Sequence, residues 1–172
     1  MKKKIIKSII ILIPVILCMG LIYYFSSQNS TQSDTVSQNF TKGIAGILFK
    51  NFDLFSLNFQ NTIIFELNMF IRKVAHFSVF FLMSIFIYAE LTIWFKKYLM
   101  NGIITTAFCM LYALFDEFHQ SFIPGRTPLI KDIFIDTAGA LLGVIFCFSI
   151  ISVIHFIKYN IKKNNSSRPS AS

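Results

Sequence analysis

Charge is scarce in this chain. Of its 172 residues only 14% are charged, well below the roughly 25% of a soluble domain. Acids are scarcer still, eight Asp and Glu against sixteen Lys and Arg. There are only three cysteines, Cys18, Cys109 and Cys147. All three fall inside apolar runs at no metal-binding spacing, so they read as small buried hydrophobes and report nothing about redox compartment. The chain has no P-loop, no dinucleotide fingerprint, no G-x-S-x-G elbow and no H-E-x-x-H pair. Glu117 and His119 are two apart and so lie on different faces of a helix, a poor start for a metal site. No cofactor and no metal is expected.

What is present is hydrocarbon. Apolar residues make up 55% of the chain, and 21 residues are Phe. A soluble protein of this size would have nowhere to bury them. The net charge of +8 could suggest nucleic acid. However, the basic residues gather at the ends of apolar runs, where they act as topology signals, so no nucleic-acid partner is expected.

Four runs are expected to cross a membrane. The first, Ile5 to Phe25, follows Lys2, Lys3, Lys4 and Lys7; at 1.5 Å per residue it reaches roughly 31 Å, enough to span. It is too long for a signal-peptide core and no A-x-A site follows it, so an uncleaved helix is expected. The second runs from about Val74 to Phe95, between Arg72-Lys73 and Lys96-Lys97. The third starts near Gly102 and is carried by Asp116 to Gln120 through its last turn. Pro124-Gly125 then predicts a turn, with Gly at the position of positive φ. Thr127-Pro128 reads as an N-cap followed by proline at the first helical position, opening a fourth span to about Ile157. Residues 35–50 could form an amphipathic helix with Val36, Phe40, Ile44, Ile47 and Leu48 on one side, lying on the membrane surface. Asn51 to Asn61 is expected to dip at the interface. The expected fold is therefore all-α: an integral-membrane four-helix bundle, one domain over residues 1–163. An interfacial segment within 26–71 joins the first two spans, and residues 164–172 form a polar, disordered tail.

Orientation follows from the positive charges. With the N-terminus inside, Lys2, Lys3, Lys4, Lys7, Lys96, Lys97, Lys158, Lys162, Lys163 and Arg168 share one side. Both termini are then cytoplasmic, in the cytoplasmic (inner) membrane. Seven of the eight acids, all but Glu90, fall on the other side.

That other side is where chemistry could reside. Asp116, Glu117, Asp132 and Asp136 put half of the acids into 21 positions beside membrane-length runs, where unpaired charge costs a few kcal/mol. Arg72 and His76 are four apart and share a helix face, as do Asp116 and Gln120, and Asp132 and Asp136. Asp116 and Glu117 point about 100° apart, so one can face a site while the other pairs elsewhere. Gly139-x-x-x-Gly143 makes a small-residue face that lets a neighbouring helix approach, bringing Asp132 and Asp136 near Arg72, Lys73 or Arg126. The bland reading is a salt-bridge cluster tying helix ends together. The functional reading is a polar site that also contains such pairs, because two histidines, four acids, three bases and two amides exceed what four helices need as staples. Arg72 and Arg126 suit phosphate or carboxylate. His76 could carry a proton, whereas His119 alone reads as a hydrogen-bonded core residue. Ser26 and Ser27 read as helix caps rather than nucleophiles.

Together four pieces resemble the VanZ-like family: Phe25-Ser26-Ser27-Gln28; Arg72-Lys73-x-x-His76-Phe77; Asp116-Glu117-x-x-Gln120-x-x-x-Pro124-Gly125-Arg126; and Asp132-x-x-x-Asp136-x-x-Gly139-x-x-x-Gly143. Order and spacing match from about residue 5 to 157. One departure is Phe80, where a Tyr would be expected; it removes a possible hydroxyl donor. The resemblance implies a small bacterial membrane protein linked to the cell envelope and to resistance to teicoplanin and related lipid-bearing glycopeptides; it implies no reaction. Two functional readings follow. In the first, Arg72, Lys73, His76, Glu117, Gln120, Arg126, Asp132 and Asp136 bind an anionic lipid head group, a lipid-linked wall precursor or the antibiotic. In the second, the chain is an enzyme acting on a lipid-linked envelope component, with Asp116 or Glu117 as general base and His76 as proton partner. A transporter is the weakest option, since four spans show no internal repeat.

Overall fold

The computed structural model describes residues 1–28, 40–126 and 128–166. Among them every regular element is helical: α1 is Lys2–Ser26, α2 covers residues 40–48, α3 is Leu57–Trp94, α4 is Tyr98–Gln120 and α5 is Ile130–Ser166, with one 3-10 turn at Phe52–Leu54. Four of these, α1, α3, α4 and α5, are long and apolar enough to cross a membrane. The all-α bundle expected from the apolar runs is therefore the observed architecture. Thr127, Val36 and the part of the expected tail beyond residue 166 lie outside the described residues.

The helices alternate in direction. The C-termini of α1 and α4 and the start of α5 gather at one end of the bundle, called here the site end. Between them lies a core of Val15, Cys18, Ile22, Phe80, Met83, Cys109, Ala113 and Ala140. Cys18 and Cys109 are buried within it. Phe80, the departure from the expected Tyr, is fully buried beside Tyr112. Tyr112 donates its own hydroxyl to the Met19 carbonyl at 2.8 Å; a second hydroxyl at position 80 would enter an apolar core. Most other large apolar side chains face outward along the four long helices. A membrane-spanning surface requires this, because lipid takes the place of a second protein layer.

α3 and α5 run parallel in close contact, and glycine is the reason. A Cβ on Gly139 would collide with the Phe77 carbonyl oxygen, and one on Gly143 would lie 2.5 Å from that of Phe81. Both positions admit only hydrogen. The approach sets the register that pairs Lys73 with Asp132, Nζ to Oδ1 at 2.7 Å.

Some boundaries shift by a few residues: α1 starts at Lys2 instead of Ile5, α4 at Tyr98 instead of near Gly102, and α5 at Ile130, so Pro128 precedes the helix instead of opening it. Two differences are larger. α3 begins at Leu57 rather than near Val74, so residues 57–73 extend the second span as one continuous 38-residue helix. At 1.5 Å per residue it is about 57 Å long, far beyond a bilayer's ~30 Å core. Arg72-Lys73 marks where the bundle ends, not where the helix starts. Asn51 to Asn61 accordingly holds a 3-10 turn and the first turn of α3. Gln60 fastens that turn by donating its side-chain amide to the Phe55 carbonyl at 2.9 Å. α2 packs on this extension through buried Thr41 and Ala45, beside Phe52, Ile63 and Ile64, while Phe40, Ile47 and Leu48 face outward. The second difference is that α5 continues past Ile157 to Ser166, because nothing in 158–166 is a helix breaker.

Candidate functional site

At the site end α3, α4, α5 and the α4–α5 connection enclose a cavity of about 400 Å³. All eight residues expected to bind line it: Arg72, Lys73 and His76 from α3; Glu117 and Gln120 from α4; Arg126 from the connection; Asp132 and Asp136 from α5. Asp116 does not. The two adjacent carboxylates divide as a helix dictates, Glu117 toward the cavity and Asp116 toward α1.

Asp116 is almost fully buried, and its Oδ2 accepts from Ser26 Oγ and from Gln120 Nε2, each at 2.8 Å. His76 Nε2 lies 3.7 Å from the same oxygen and 3.3 Å from Ser26 Oγ. Ser26 has one proton, which it gives to Asp116. It therefore accepts from His76 Nε2 and from Gln120 Nε2, the latter at 3.1 Å. His76 Nδ1 faces the Arg72 carbonyl at 3.3 Å. Ser26, His76 and Asp116 thus have the residue types of a hydrolytic triad without its geometry, since serine and aspartate lie on the same side of the imidazole. The group ties α1, α3 and α4 together and sets the ring that borders the cavity.

The α4–α5 connection is built around Pro124-Gly125. Gly125 has φ 78°, and Arg126 N–H closes the turn on the Ile123 carbonyl at 3.1 Å. The turn aims the Arg126 guanidinium back at α1. Nε donates to the Gln28 carbonyl at 3.1 Å, Nη2 to that of Phe25, and Nη1 to Gln120 Oε1 at 3.2 Å. A cation on the final carbonyls of a helix satisfies orphan acceptors and opposes the helix dipole. Burial, and then the neighbouring Arg72 charge, lower the Arg126 pKa to about 10, against the pull of Asp116 and Glu117. It stays cationic at neutral pH.

Glu117 Oε2 accepts from Leu129 N–H at 2.9 Å and so fixes the start of α5. Asp132 is occupied by Lys73. Asp136 is 3% exposed, lies in the field of His76, and receives no hydrogen bond among the described residues.

Two histidines stand apart from the cavity. His119 Nε2 meets Ser27 Oγ at 3.0 Å and its ring stacks on Tyr23, the hydrogen-bonded role expected of it. His155 packs edge-on against Tyr98 at the opposite end. Five cavity residues escaped the sequence reading, namely Phe65, Asn68, Met69, Leu129 and Ile135. The first three belong to the extension of α3, and the recurrence of Ile63, Leu67 and Ile71 every four residues was the signal for it. Also missed was Glu90 at the opposite end, whose Oε1 accepts from Ser8 Oγ and from Trp94 Nε1.

Four membrane-length helices, with a cavity at one end where cations, carboxylates and apolar side chains meet, define a multi-pass helical membrane protein. More narrowly, the chain belongs to the VanZ/LLP1 family, whose model matches residues 11–154. No curated protein and no solved structure matches it.

Proposed function

We propose that the chain is a binding factor of the bacterial cell envelope. In this reading the cavity takes the anionic head group of a membrane lipid, a lipid-linked wall precursor or a lipoglycopeptide of the teicoplanin type, at the outer face of the cytoplasmic membrane. Its role would then lie in glycopeptide resistance. The observation that carries the reading is the convergence of Arg72, Lys73 and Arg126 on one cavity that Phe65, Met69 and Leu129 also line. Forked guanidinium donors suit phosphate, and these apolar side chains suit the chain attached to it. Arg72 and Arg126 draw the anion, Lys73 is held by Asp132, and Gln120 connects Arg126 to Asp116. Membership of the VanZ/LLP1 family supports the envelope context. The basic residues at the bundle end opposite the cavity support an outward-facing site with both termini cytoplasmic.

The test is to incubate the purified full chain with lipid-linked wall precursor, and separately with teicoplanin, and to analyse bound and released material by mass spectrometry. Saturable binding with no mass change is expected, weakened about tenfold or more by Arg72→Ala, since hydrogen bonds to charged groups contribute ~1.5–3 kcal/mol. A change in precursor mass would instead establish the enzyme alternative, with Glu117 as general base and His76 as proton partner. Absence of binding by both probes would end the precursor and antibiotic readings and leave only the head group of a membrane lipid.

A further inference from the structure

One carboxylate of the cavity has no partner. Asp136 lines it, is only 3% exposed, and is reached by no hydrogen bond or ion pair among the described residues. Four donor residues that share the lining are directed elsewhere. Lys73 is held by Asp132 at 2.7 Å. His76 turns Nε2 toward Ser26 and Asp116, and Nδ1 toward the Arg72 carbonyl. Gln120 Nε2 donates to Asp116 and Ser26. Arg126 donates to the Phe25 and Gln28 carbonyls and to Gln120. Buried polar groups are nearly always hydrogen-bonded, so a buried carboxylate that faces a cavity with both oxygens empty marks a place for donors the chain does not supply.

The donors that suit Asp136 are hydroxyls. Its site is nearly dry, and bringing an ammonium there strips water from a strongly hydrated ion, which costs far more than stripping a hydroxyl. Hydroxyls also bond the carboxyl group whether it is ionised or protonated, whereas an ammonium needs it ionised. A metal ion would need several ligands together, and no group of three or more His, Cys, Asp or Glu able to hold one occurs among the described residues. The group has two oxygens. Two hydroxyls on adjacent carbons present two donors side by side, the uncharged counterpart of a guanidinium fork. Resting on the head-group reading above, we infer that the cavity selects a phosphate head group bearing a vicinal diol, whose two hydroxyls donate to Asp136. This chemistry is available from a phosphoglycerol lipid or from free glycerol phosphate. Phe65, Met69 and Leu129 line the same cavity; they suit an attached apolar chain and favour the lipid.

The test is calorimetric titration of the detergent-solubilised full chain with four probes: dihexanoyl lipids bearing phosphoglycerol, phosphopropanol or phosphoethanolamine, and free glycerol phosphate. Phosphopropanol matches phosphoglycerol in charge and length and lacks both hydroxyls. The phosphoglycerol lipid is expected to bind about tenfold more tightly than the phosphopropanol lipid, the scale of hydrogen bonds to a charged group. It should also bind more tightly than the phosphoethanolamine lipid. Asp136→Asn, which keeps one acceptor oxygen, should shrink the ratio of phosphoglycerol to phosphopropanol affinity. Asp136→Ala should bring that ratio close to one while phosphopropanol still binds. Equal binding of the two lipids by the parent chain overturns the diol inference and leaves the head-group reading standing. Tighter binding of phosphoethanolamine overturns it in favour of an ammonium. An unchanged ratio in Asp136→Ala overturns Asp136 as the acceptor. Free glycerol phosphate binding as tightly as its lipid overturns the lipid as the source. Binding of no lipid overturns the head-group reading itself. The wild-type ratio decides the matter even if neither variant folds.

Discussion

Arg126 and Glu117 both line the cavity, and both also hold the bundle together, so a simple loss of function in either would say little. Their hydrogen bonds allow a cleaner separation. Arg126→Ala removes three donors at once, leaving the Phe25 and Gln28 carbonyls at the end of α1 and Gln120 Oε1 without their partner. At about 1 kcal/mol for each lost bond, a destabilisation of ~2–3 kcal/mol is expected, read as a lower unfolding temperature in detergent; an unchanged temperature would show that the clamp contributes nothing. Glu117→Gln is different. The amide oxygen can still accept from Leu129 N–H, so stability should stay within ~0.5 kcal/mol of the parent while the negative charge at the cavity is lost. A changed ligand affinity at unchanged stability would assign Glu117 to binding, and a large drop in stability would assign it to the frame. Asp116→Ala should act as a frame residue, because Ser26 and Gln120 both donate to it in a dry setting and unpaired buried donors cost ~1–3 kcal/mol.

At the scale of elements the decisive contact is α3 against α5. Gly143→Val would drive a branched side chain into the Phe81 carbonyl, and separating the helices should cost at least ~1–3 kcal/mol and uncouple Lys73 from Asp132. Gly20→Ala is the matched control, since a Cβ there meets nothing within 4 Å; equal accumulation of the two variants in membranes would refute the close-packing account. This glycine face was legible beforehand, because two small residues four apart on an apolar helix have few other uses. So was the turn at Pro124-Gly125, where chemistry fixes φ, and so was the separation of Asp116 from Glu117, which follows from 100° per residue. The first half of α3 was not. Asn58, Gln60, Asn61, Glu66 and Asn68 dilute its hydropathy, and Arg72-Lys73 resembles a membrane boundary, yet the helix is held by α2 through Ile63, Ile64 and Leu67. Nor could the sequence reveal that Arg126 reaches α1, because its acceptors there are backbone carbonyls, which every residue has. The eight cavity residues were found because charge beside hydrocarbon must meet charge. Phe65 and Met69, being apolar, left no such trace.

For the molecule as a whole, the open question is which side of the membrane the cavity faces, and the argument reduces to where the lysines lie. Lys2, Lys3, Lys4 and Lys7 open α1, Lys96 and Lys97 join α3 to α4, and Lys158, Lys162 and Lys163 lie in the last turns of α5, all at the end opposite the cavity. On the reading proposed above, positive charge is retained on the cytoplasmic side and the cavity faces outward. The native cysteines favour a direct test, since Cys18 and Cys109 are buried and Cys147 lies within α5, partly covered. Phe122 and Tyr159 are both well exposed, 67% each, at opposite ends. In intact cells a membrane-impermeant maleimide should label Phe122→Cys and leave Tyr159→Cys unlabelled until the membrane is permeabilised. The reverse pattern would put the cavity in the cytoplasm, out of reach of externally added glycopeptide, and a ligand would then have to be sought among cytoplasmic lipid intermediates.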